Sequence, residues 1–384
     1  MSVTAAQGFV ASGVHSGIRN AHPDLAVVQS LRPAVGAAMF TRNRVQAAPL
    51  VVSRAHLASA EPQAVVINSG VANAATGTAG EQAARETAGA ASTLLGLSPE
   101  QVLVLSTGVI GVPLPTAKIT AALGDAVDGL SPDGGSAAAA AILTTDTAPK
   151  QALVERDRFV VGGMAKGAGM IHPALATMLA VVTTDYPLGP GEAETFLRPA
   201  VEASFNRISV DGECSTNDAV VLLANGASGC ERNDEGFAAA LGEVCSELAA
   251  QIVADGEGAT VVLEIAVAGA ANENDATAIA RRIATSPLVK TAAFGRDPNW
   301  GRVLAAAGSA PANGGFASLD ADRISLRFNG TPVFAAGSPT GLAPALEGPV
   351  CRIDLDLGLG AGSASYLASD LTYDYVRINA EYTT

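Results

Sequence analysis

The residues best suited to chemistry lie in one stretch near the middle of the chain, from Lys166 to Leu179. A Gly-Ala-Gly turn follows the lysine, and the hydroxyl of Thr177 interrupts the small and apolar residues that come next. A threonine hydroxyl is a poor nucleophile until a base removes its proton. His172 precedes Thr177, but no histidine stands at a recognisable triad spacing. The pattern alone therefore favours a buried core threonine, bonded to a backbone carbonyl, over a nucleophile.

Hydroxyls and glycines also follow two apolar segments of the amino-terminal half. Residues 64–67 run into Asn68-Ser-Gly70, and residues 102–105 run into Ser106-Thr-Gly108. Buried strands that open into polar loops and alternate with alanine-rich helical segments predict α/β layers, with functional residues at the strand ends. A Ser-Thr-Gly strand end taken alone is more often a plain turn.

The remaining pattern predicts the elements that must position these residues. Short strands and turns are expected over residues 8–53. Helices are expected over 82–95, 115–130, 135–143, 192–207, 235–254 and 275–285, and from residue 302. After residue 177, strands are expected over 219–224, 259–268, 288–294, 324–328, 333–336, 351–357, 364–369 and 375–379.

Length and composition exclude several classes of protein. A chain of 384 residues predicts two domains or one large layered domain. Its net charge of −14 would repel a phosphate polyanion, so we expect no nucleic-acid partner. No signal peptide and no unbroken membrane-spanning stretch is apparent, so we expect a cytoplasmic protein without a membrane partner. The four cysteines lack metal-type spacing, so we expect neither a metal nor a disulfide framework.

Two motifs of the central stretch resemble a known family. K-G-A-G-M at 166–170 and A-T-M-L at 176–179 resemble the self-cleavage segment of the ornithine acetyltransferases, or bifunctional glutamate N-acetyltransferases, of arginine biosynthesis. The resemblance implies cleavage between Ala176 and Thr177, giving an α chain of residues 1–176 and a β chain of residues 177–384. It also implies a heterotetramer of two α and two β chains, each pair forming a layered α/β/β/α sandwich related to β-peptidyl aminopeptidases.

The resemblance assigns roles to individual residues. It implies that Thr177 is the nucleophile and that the new α-amine, with a pKa of roughly 7.7–8.0, is its general base. Thr107 and Gly108 would form the oxyanion hole. Besides Thr177, the implied substrate contacts are Thr144, Lys166, Glu257, Asn379 and Thr384. Residues 40–43, 68–73, 211–218 and 294–302 also match motifs of the family.

The implied reaction is a ping-pong transfer of acetyl from N2-acetylornithine to L-glutamate without a cofactor. Acetyl-CoA is a further candidate donor, since no residue separates a bifunctional from a transfer-only enzyme. Two alternatives stay open. One is a self-cleaving aminopeptidase or amidohydrolase of the same superfamily, in which water takes the acyl group. The other is an uncleaved, non-catalytic binding protein, which a denaturing gel would reveal as a single band.

Overall fold

The computed structural model describes residues 3–172 and 178–381. These residues divide into two units. The first contains the described residues up to Asn206 together with Cys214–Ile252. The second contains Arg207–Glu213 and the described residues from Val253 onward.

The described residues up to 254 form ten strands and six α-helices. The strands are β1 (Phe9–Val14), β2 (Leu25–Ser30), β3 (Val35–Phe40), β4 (Ala64–Val71), β5 (Val102–Val109), β6 (Lys150–Arg156), β7 (Phe159–Lys166), β8 (Leu179–Thr184), β9 (Ile208–Ser209) and β10 (Ala219–Ala224). The helices are α1 (Ala48–Leu57), α2 (Gly77–Leu95), α3 (Thr116–Asp128), α4 (Gly135–Ala141), α5 (Ala193–Ala203) and α6 (Asp234–Ala254).

The described residues after 254 contain eight more strands and four more helices. The strands are β11 (Val262–Ala270), β12 (Pro311–Ala312), β13 (Gly315–Phe316), β14 (Ser325–Phe328), β15 (Thr331–Ala335), β16 (Ser338–Pro339), β17 (Val350–Asp356) and β18 (Gly362–Ser369). The helices are α7 (Glu273–Ala284), α8 (Pro287–Phe294), α9 (Trp300–Gly308) and α10 (Tyr373–Glu381).

Two sheets pack face to face in the first unit. One has the strand order β1-β2-β4-β5, with β4 and β5 parallel. The other has the order β3-β10-β8-β7-β6, with β10 and β8 parallel. Ile67 and Leu105 of the first sheet share one buried core with Val181 and Val221 of the second. This shared core holds the two sheets together by burial of apolar surface.

Helices cover the outer faces of both sheets. Because side chains alternate along a strand, Val66 and Val104 point away from the second sheet, into a core shared with Ile119 of α3. On the other side, α6 lies directly against β7, since a Cβ on Gly163 would come 2.9 Å from Leu248 Cδ1. The first unit is therefore the layered α/β/β/α sandwich that the family resemblance implied.

The described part of the second unit is built on one seven-stranded sheet with the order β16-β15-β14-β17-β11-β18-β9. Buried and exposed residues alternate along β11 and β17, as in a sheet with one covered face. Helices α7, α8 and α9 cover that face. Ile279, Val289 and Val303 of these helices join Ile265 and Ile353 of the sheet in one core.

The predicted elements are largely present, with exceptions that have local causes. Residues 288–294, expected as a strand, form α8. The Ser286 side chain accepts the Val289 N–H and Pro287 occupies the first turn, which are strong helix-start signals. A helix, α1, also lies partly within residues 8–53, where only strands and turns were expected. Strand β10, in contrast, has its predicted bounds.

Helix α6 is the one helix of the described residues that is long and apolar enough to cross a membrane by length and composition. Half of its most apolar window is buried within the protein. Its Phe237 stacks on Tyr186 with ring centroids 4.5 Å apart. This packing is that of a core helix, so α6 is weak evidence for a membrane span.

Candidate active site

The two polar strand ends singled out in the sequence lie side by side. Strands β4 and β5 are parallel neighbours, and their register pairs Asn68 with Ser106 and Gly70 with Gly108. The Ser106 hydroxyl donates to Asn68 Oδ1 at 2.6 Å, which ties the two strand ends together. The carboxyl ends of parallel strands are a common place for a site in layered α/β proteins. The predicted oxyanion residues therefore sit at such an edge.

Glycine is required at position 108. Its φ is +128°, a conformation that residues with side chains rarely adopt. A Cβ at this position would lie 2.3 Å from the carbonyl carbon of Gly70. The two strand ends can approach this closely only because residue 108 has no side chain.

Thr107 is buried next to the predicted substrate lysine. Lys166, the last residue of β7, donates from Nζ to Thr107 Oγ1 at 3.4 Å. Because Oγ1 accepts in this contact, its own proton remains available for another acceptor. No residue in ranges 3–172 and 178–381 accepts that proton. The Thr107 hydroxyl is therefore suited to donate to an oxygen of a bound molecule.

Lys166 belongs to a buried charged cluster centred on Asp146, whose side chain is fully buried. Lys150 Nζ donates to Asp146 Oδ1 at 2.6 Å, and Lys166 Nζ lies 3.7 Å from Oδ2. Two backbone N–H groups add to these contacts: Gly167 donates to Oδ1 at 2.6 Å and Thr144 to Oδ2 at 3.0 Å. Antiparallel pairing of β6 with β7 brings the two lysines together. Thr144, another predicted substrate contact, thus joins the same cluster.

The lysines around Asp146 determine its protonation state. Burial by itself raises the pKa of Asp146, but the charges of Lys166 and Lys150 outweigh it and keep the pKa well below its usual range. Asp146 is therefore ionised at neutral pH. Two ammonium groups around one carboxylate make the cluster net positive beside Thr107. Such a cluster can attract the carboxylate of an amino-acid substrate.

A second buried carboxyl, that of Asp218, lies at the amino-terminal end of β8. Its Oδ1 accepts the backbone N–H of Met178 at 3.0 Å. Its Oδ2 is buried and has no hydrogen-bond partner among the described residues. The preceding Asn217 donates from Nδ2 to the carbonyls of Ala72 at 2.6 Å and Ser106 at 2.8 Å. Asn217 thereby ties this segment to the ends of β4 and β5.

The environment of Asp218 favours its neutral form. Burial raises the pKa of Asp218 well above its usual range, although the Met178 N–H, the nearby hydroxyls of Thr41 and Ser215 and the charge of Lys166 act in the opposite direction. Thr41 lies beside it, with its backbone N–H donating to the Asp218 carbonyl at 3.0 Å. Asp218 is thus a buried acid in its neutral form immediately next to Met178.

The predicted nucleophile and cleavage bond, Thr177 and Ala176, lie outside the described residues. Their place in the sequence is still informative, because Met178 follows Thr177 directly. Met178 is buried, and Asp218 holds its N–H. The described site therefore reaches the residue next to the predicted nucleophile.

Two predicted substrate contacts meet in the second unit. Asn379 Nδ2 donates to Glu257 Oε2 at 2.8 Å. Glu257 precedes Gly258, where φ is +66° and a Cβ would lie 2.5 Å from the backbone nitrogen of Tyr375. Glycine at this position lets the Glu257 turn pack against the start of α10. Glu257 and Asn379 form one polar pair as a result.

The strand expected over residues 375–379 is a helix, which corrects the sequence prediction. Thr372 Oγ1 accepts the Tyr375 N–H at 3.1 Å and caps the start of α10. This local cap favours a helix where the sequence pattern had predicted a strand. Asn379 therefore projects from a helix. Thr384, the other predicted contact near this end, lies outside the described residues.

Sequence reasoning missed three residues of the site: Asp146, Lys150 and Asp218. Asp146 and Lys150 lie close to Thr144, and Asp218 lies within the motif at 211–218, so the segments were found but these charged residues were not. A usable signal existed, because charged residues make up only 16 % of the chain. Charged residues within otherwise uncharged, hydroxyl-rich segments of such a chain are candidates for a buried site.

Comparisons with known proteins identify the family of this chain. The ArgJ family model matches residues 10–384. An arginine biosynthesis bifunctional protein ArgJ from Thermosynechococcus vestitus is 44 % identical over 415 residues, covering 100 % of this chain and 98 % of that protein. Its namesake from Mycolicibacterium paratuberculosis is 47 % identical over 396 residues, covering 100 % and 96 %.

Among solved structures, an ornithine acetyltransferase from Mycobacterium tuberculosis complexed with ornithine is 42 % identical, with a TM-score of 0.44. The match between the two covers 46 % of this chain and 96 % of the chain in that solved structure. The family assignment rests on the sequence matches, which extend over nearly the full length of the relatives. With its motifs, its strand-end geometry and these matches, the chain belongs to the ArgJ family.

Proposed function

We propose that this protein is a glutamate N-acetyltransferase of arginine biosynthesis, which moves acetyl from N2-acetylornithine to L-glutamate through an acetyl ester on Thr177. The observation that carries the proposal is the family match across residues 10–384. The geometry of Thr107, Gly108 and Lys166 at one edge of the first unit supports it. No step requires a cofactor.

The first half-reaction forms the ester. Cleavage between Ala176 and Thr177 frees an α-amine with a pKa of roughly 7.7–8.0. That amine takes the proton of the Thr177 hydroxyl as Oγ attacks the acetyl carbon. The Thr107 hydroxyl and the Gly108 N–H donate to the developing oxyanion. The carbon–nitrogen bond then breaks, and the departing ornithine nitrogen takes the proton from the α-amine.

The second half-reaction runs in reverse with another amine. The α-amine of glutamate attacks the ester carbonyl, and the same oxyanion donors act again. The bond to Oγ breaks, Thr177 recovers its proton, and N-acetylglutamate leaves. Lys166 and Thr144 suit the substrate carboxylate, because the cluster they belong to is net positive.

The polar pair Glu257 and Asn379 suits the side chain of the donor. Ornithine ends in an ammonium group, which a carboxylate attracts, whereas the glutamate side chain ends in a carboxylate, which it repels. Thr384 is a further proposed contact. We also propose that the α chain of 1–176 and the β chain of 177–384 assemble as a cytoplasmic heterotetramer, and that acetyl-CoA serves as a second donor.

The decisive experiment compares Thr177→Ala with Thr177→Ser. The alanine variant should remain one uncut, inactive chain, because it lacks the hydroxyl needed for both cleavage and transfer. The serine variant, the matched control, should be cut into two chains. Denaturing gels and mass spectrometry detect cleavage, and N-acetylglutamate formation from acetylornithine or acetyl-CoA measures transfer.

Each rival function gives a distinct result. Free acetate released at the same rate with or without glutamate would identify a hydrolase. A wild-type chain that stays whole would identify a binding protein. Cleavage of Thr177→Ala before residue 177 would remove Thr177 from the mechanism.

A further inference from the structure

One cavity of the first unit gathers positive charge in a protein that is strongly acidic overall. The cavity has a volume of about 240 Å³ and is lined by Arg42, Arg54, Arg198, Asn206 and residues 38–40 of β3. None of these described lining residues is acidic. The whole chain has 37 acidic and 23 basic residues, so three arginines around one small space run against its composition. Like charges repel one another, and such a group therefore suits an anion.

Three different elements bring the arginines together. Arg42 follows β3, Arg54 lies near the end of α1, and Arg198 lies on α5. Strand β3 is the outer strand of its sheet, so no further strand of the described residues covers this side. The three arginines are exposed as a result, and the cavity is open to solvent.

The guanidinium groups keep donors available for a ligand. The Arg54 guanidinium carbon lies 5.2 Å from the centroid of the Phe40 ring, and its Nη1 donates to Gln46 Oε1 at 2.8 Å. This leaves most of its five N–H donors unused within the described residues. Arg198 forms an ion pair with Glu194, one turn earlier on α5. Arg42 has no hydrogen-bond or ion-pair partner in residues 3–172 and 178–381.

We propose that this cavity binds a phosphate group of a small molecule, with Arg42, Arg54 and Arg198 as its cationic donors. Because Glu194 offsets one of the three guanidinium charges, about two positive charges remain for the ligand. A phosphate group carries about −1.5 to −2 charges at neutral pH and has three acceptor oxygens. A carboxylate offers one charge and two oxygens. The planar fork of arginine also matches phosphate geometry.

The size of the cavity and the charge of the whole protein limit the ligand. Pockets that enclose an entire small molecule usually have volumes of roughly 300–1,000 Å³. A smaller open cavity suits one phosphate group, with the rest of the ligand outside it. The net charge of −14 still disfavours an extended polyanion such as nucleic acid.

Two sources share this chemistry: inorganic phosphate, and the phosphate groups of acetyl-CoA. The cavity itself is argued from its own contacts, whereas the second source rests on the proposed function, in which acetyl-CoA is a donor. Thr41, which lies between Phe40 and Arg42, contacts the active-site segment. Its hydroxyl donates to the Ser215 carbonyl at 2.9 Å, and its N–H donates to the Asp218 carbonyl at 3.0 Å. The cavity therefore adjoins that segment.

Isothermal titration calorimetry of the wild-type protein at low ionic strength tests the proposal. Inorganic phosphate and coenzyme A are titrated separately, with acetate as the carboxylate control. We expect a Kd of about 1 mM or tighter for at least one phosphate ligand. Arg42→Gln should weaken that binding by about tenfold or more, because it removes a charged donor. Arg44→Gln is the matched control: Arg44 is exposed and two residues away but does not line the cavity, so wild-type affinity is expected.

The outcomes identify the source or overturn the proposal. Comparable binding of both ligands, weakened in Arg42→Gln, would identify a general phosphate site, and binding of coenzyme A alone, weakened in the same way, would identify the acetyl donor. The absence of binding, an equal affinity for acetate, or an affinity unchanged in Arg42→Gln would overturn the site. Urea unfolding curves check that the variants are folded.

A crystal structure of the wild-type protein with the bound ligand depends on no variant. We expect a phosphate oxygen within about 3.2 Å of an Arg42 guanidinium nitrogen. A second copy of the chain filling the cavity, or a phosphate bound only elsewhere, would contradict the proposal. A wild-type protein that transfers no acetyl to glutamate would overturn the proposed function and leave phosphate binding by this cavity intact.

Discussion

Asp146 and Asp218 are buried carboxyl groups of the same unit, and the charge of Lys166 acts on both, yet their pKa values shift in opposite directions. Asp146 has two lysines and two backbone N–H groups around it. Asp218 has one backbone N–H at hydrogen-bond distance within the described residues. The comparison shows that the number of donors, not burial alone, decides which buried acid is charged.

The two carboxyl groups consequently suit different tasks. Asp146 is a fixed charge that keeps Lys150 and Lys166 buried in place beside Thr107. Asp218 is a neutral buried acid, and one of its oxygens has no hydrogen-bond partner among the described residues. Desolvation penalises the ionised form of both acids, but the donors around Asp146 offset that penalty, whereas the fewer donors around Asp218 do not.

The largest expected effect comes from removing the fixed charge. Asp146→Asn leaves Lys150 and Lys166 buried without their carboxylate, and breaking a buried ion pair in this way costs about 3–5 kcal/mol. We expect this loss in urea unfolding of the uncut Thr177→Ala chain at neutral pH. Asp218→Asn in the same background removes no ionised partner and should change stability far less. Equal losses from both substitutions would contradict the assigned charge states.

The pH dependence of stability sharpens the same test. Folding lowers the pKa of Asp146, so its contribution is present above the ordinary carboxyl value of about 4 and is lost as pH falls further. Folding raises the pKa of Asp218, so its contribution is present below about pH 4 and is lost as pH rises. Asp146→Asn should therefore reduce the loss of unfolding free energy below about pH 4. Asp218→Asn should reduce the loss that occurs as pH rises above about 4.

The second-largest expected effect concerns Thr107, whose hydroxyl accepts from Lys166. Thr107→Val removes the hydroxyl donor with little change in volume, so acetyl transfer should fall by about 10²–10³-fold while the chain still folds and cleaves. Thr87→Val is a matched control, because Thr87 is a buried threonine on α2 that bonds to the Ala83 carbonyl. A wild-type transfer rate in Thr107→Val would remove Thr107 from the oxyanion hole.

The smallest effect extends the comparison to a less buried acid in the second unit. Glu257→Gln should weaken use of acetylornithine about three- to tenfold and use of glutamate less, because a solvated ion pair contributes little. Initial rates with each substrate varied in turn measure the difference. Glu264→Gln, on an exposed position of β11, serves as the control. Equal losses in both half-reactions would point to a structural role for Glu257.

Sequence reasoning succeeded where the signal was local and repeated. Strand β10 lies at its predicted bounds, and the two polar strand ends at Gly70 and Gly108 were found from apolar runs that end in glycine. It failed where a single capping side chain changed the outcome. Ser286 and Thr372 each start a helix in a segment that the sequence had predicted to be a strand.

The sequence by itself determined the layered α/β class, the family and the candidate residues Thr107, Gly108, Thr144 and Lys166, because runs and motifs can be recognised without knowing their neighbours in space. Tertiary structure alone decided that Asp146 joins Lys150 and Lys166, since this requires the pairing of β6 with β7. It also decided that Asp218 is buried beside Met178, 40 positions away in the chain. The charge state of a carboxyl group depends on surrounding donors and on exclusion of water, and both are properties of the folded chain.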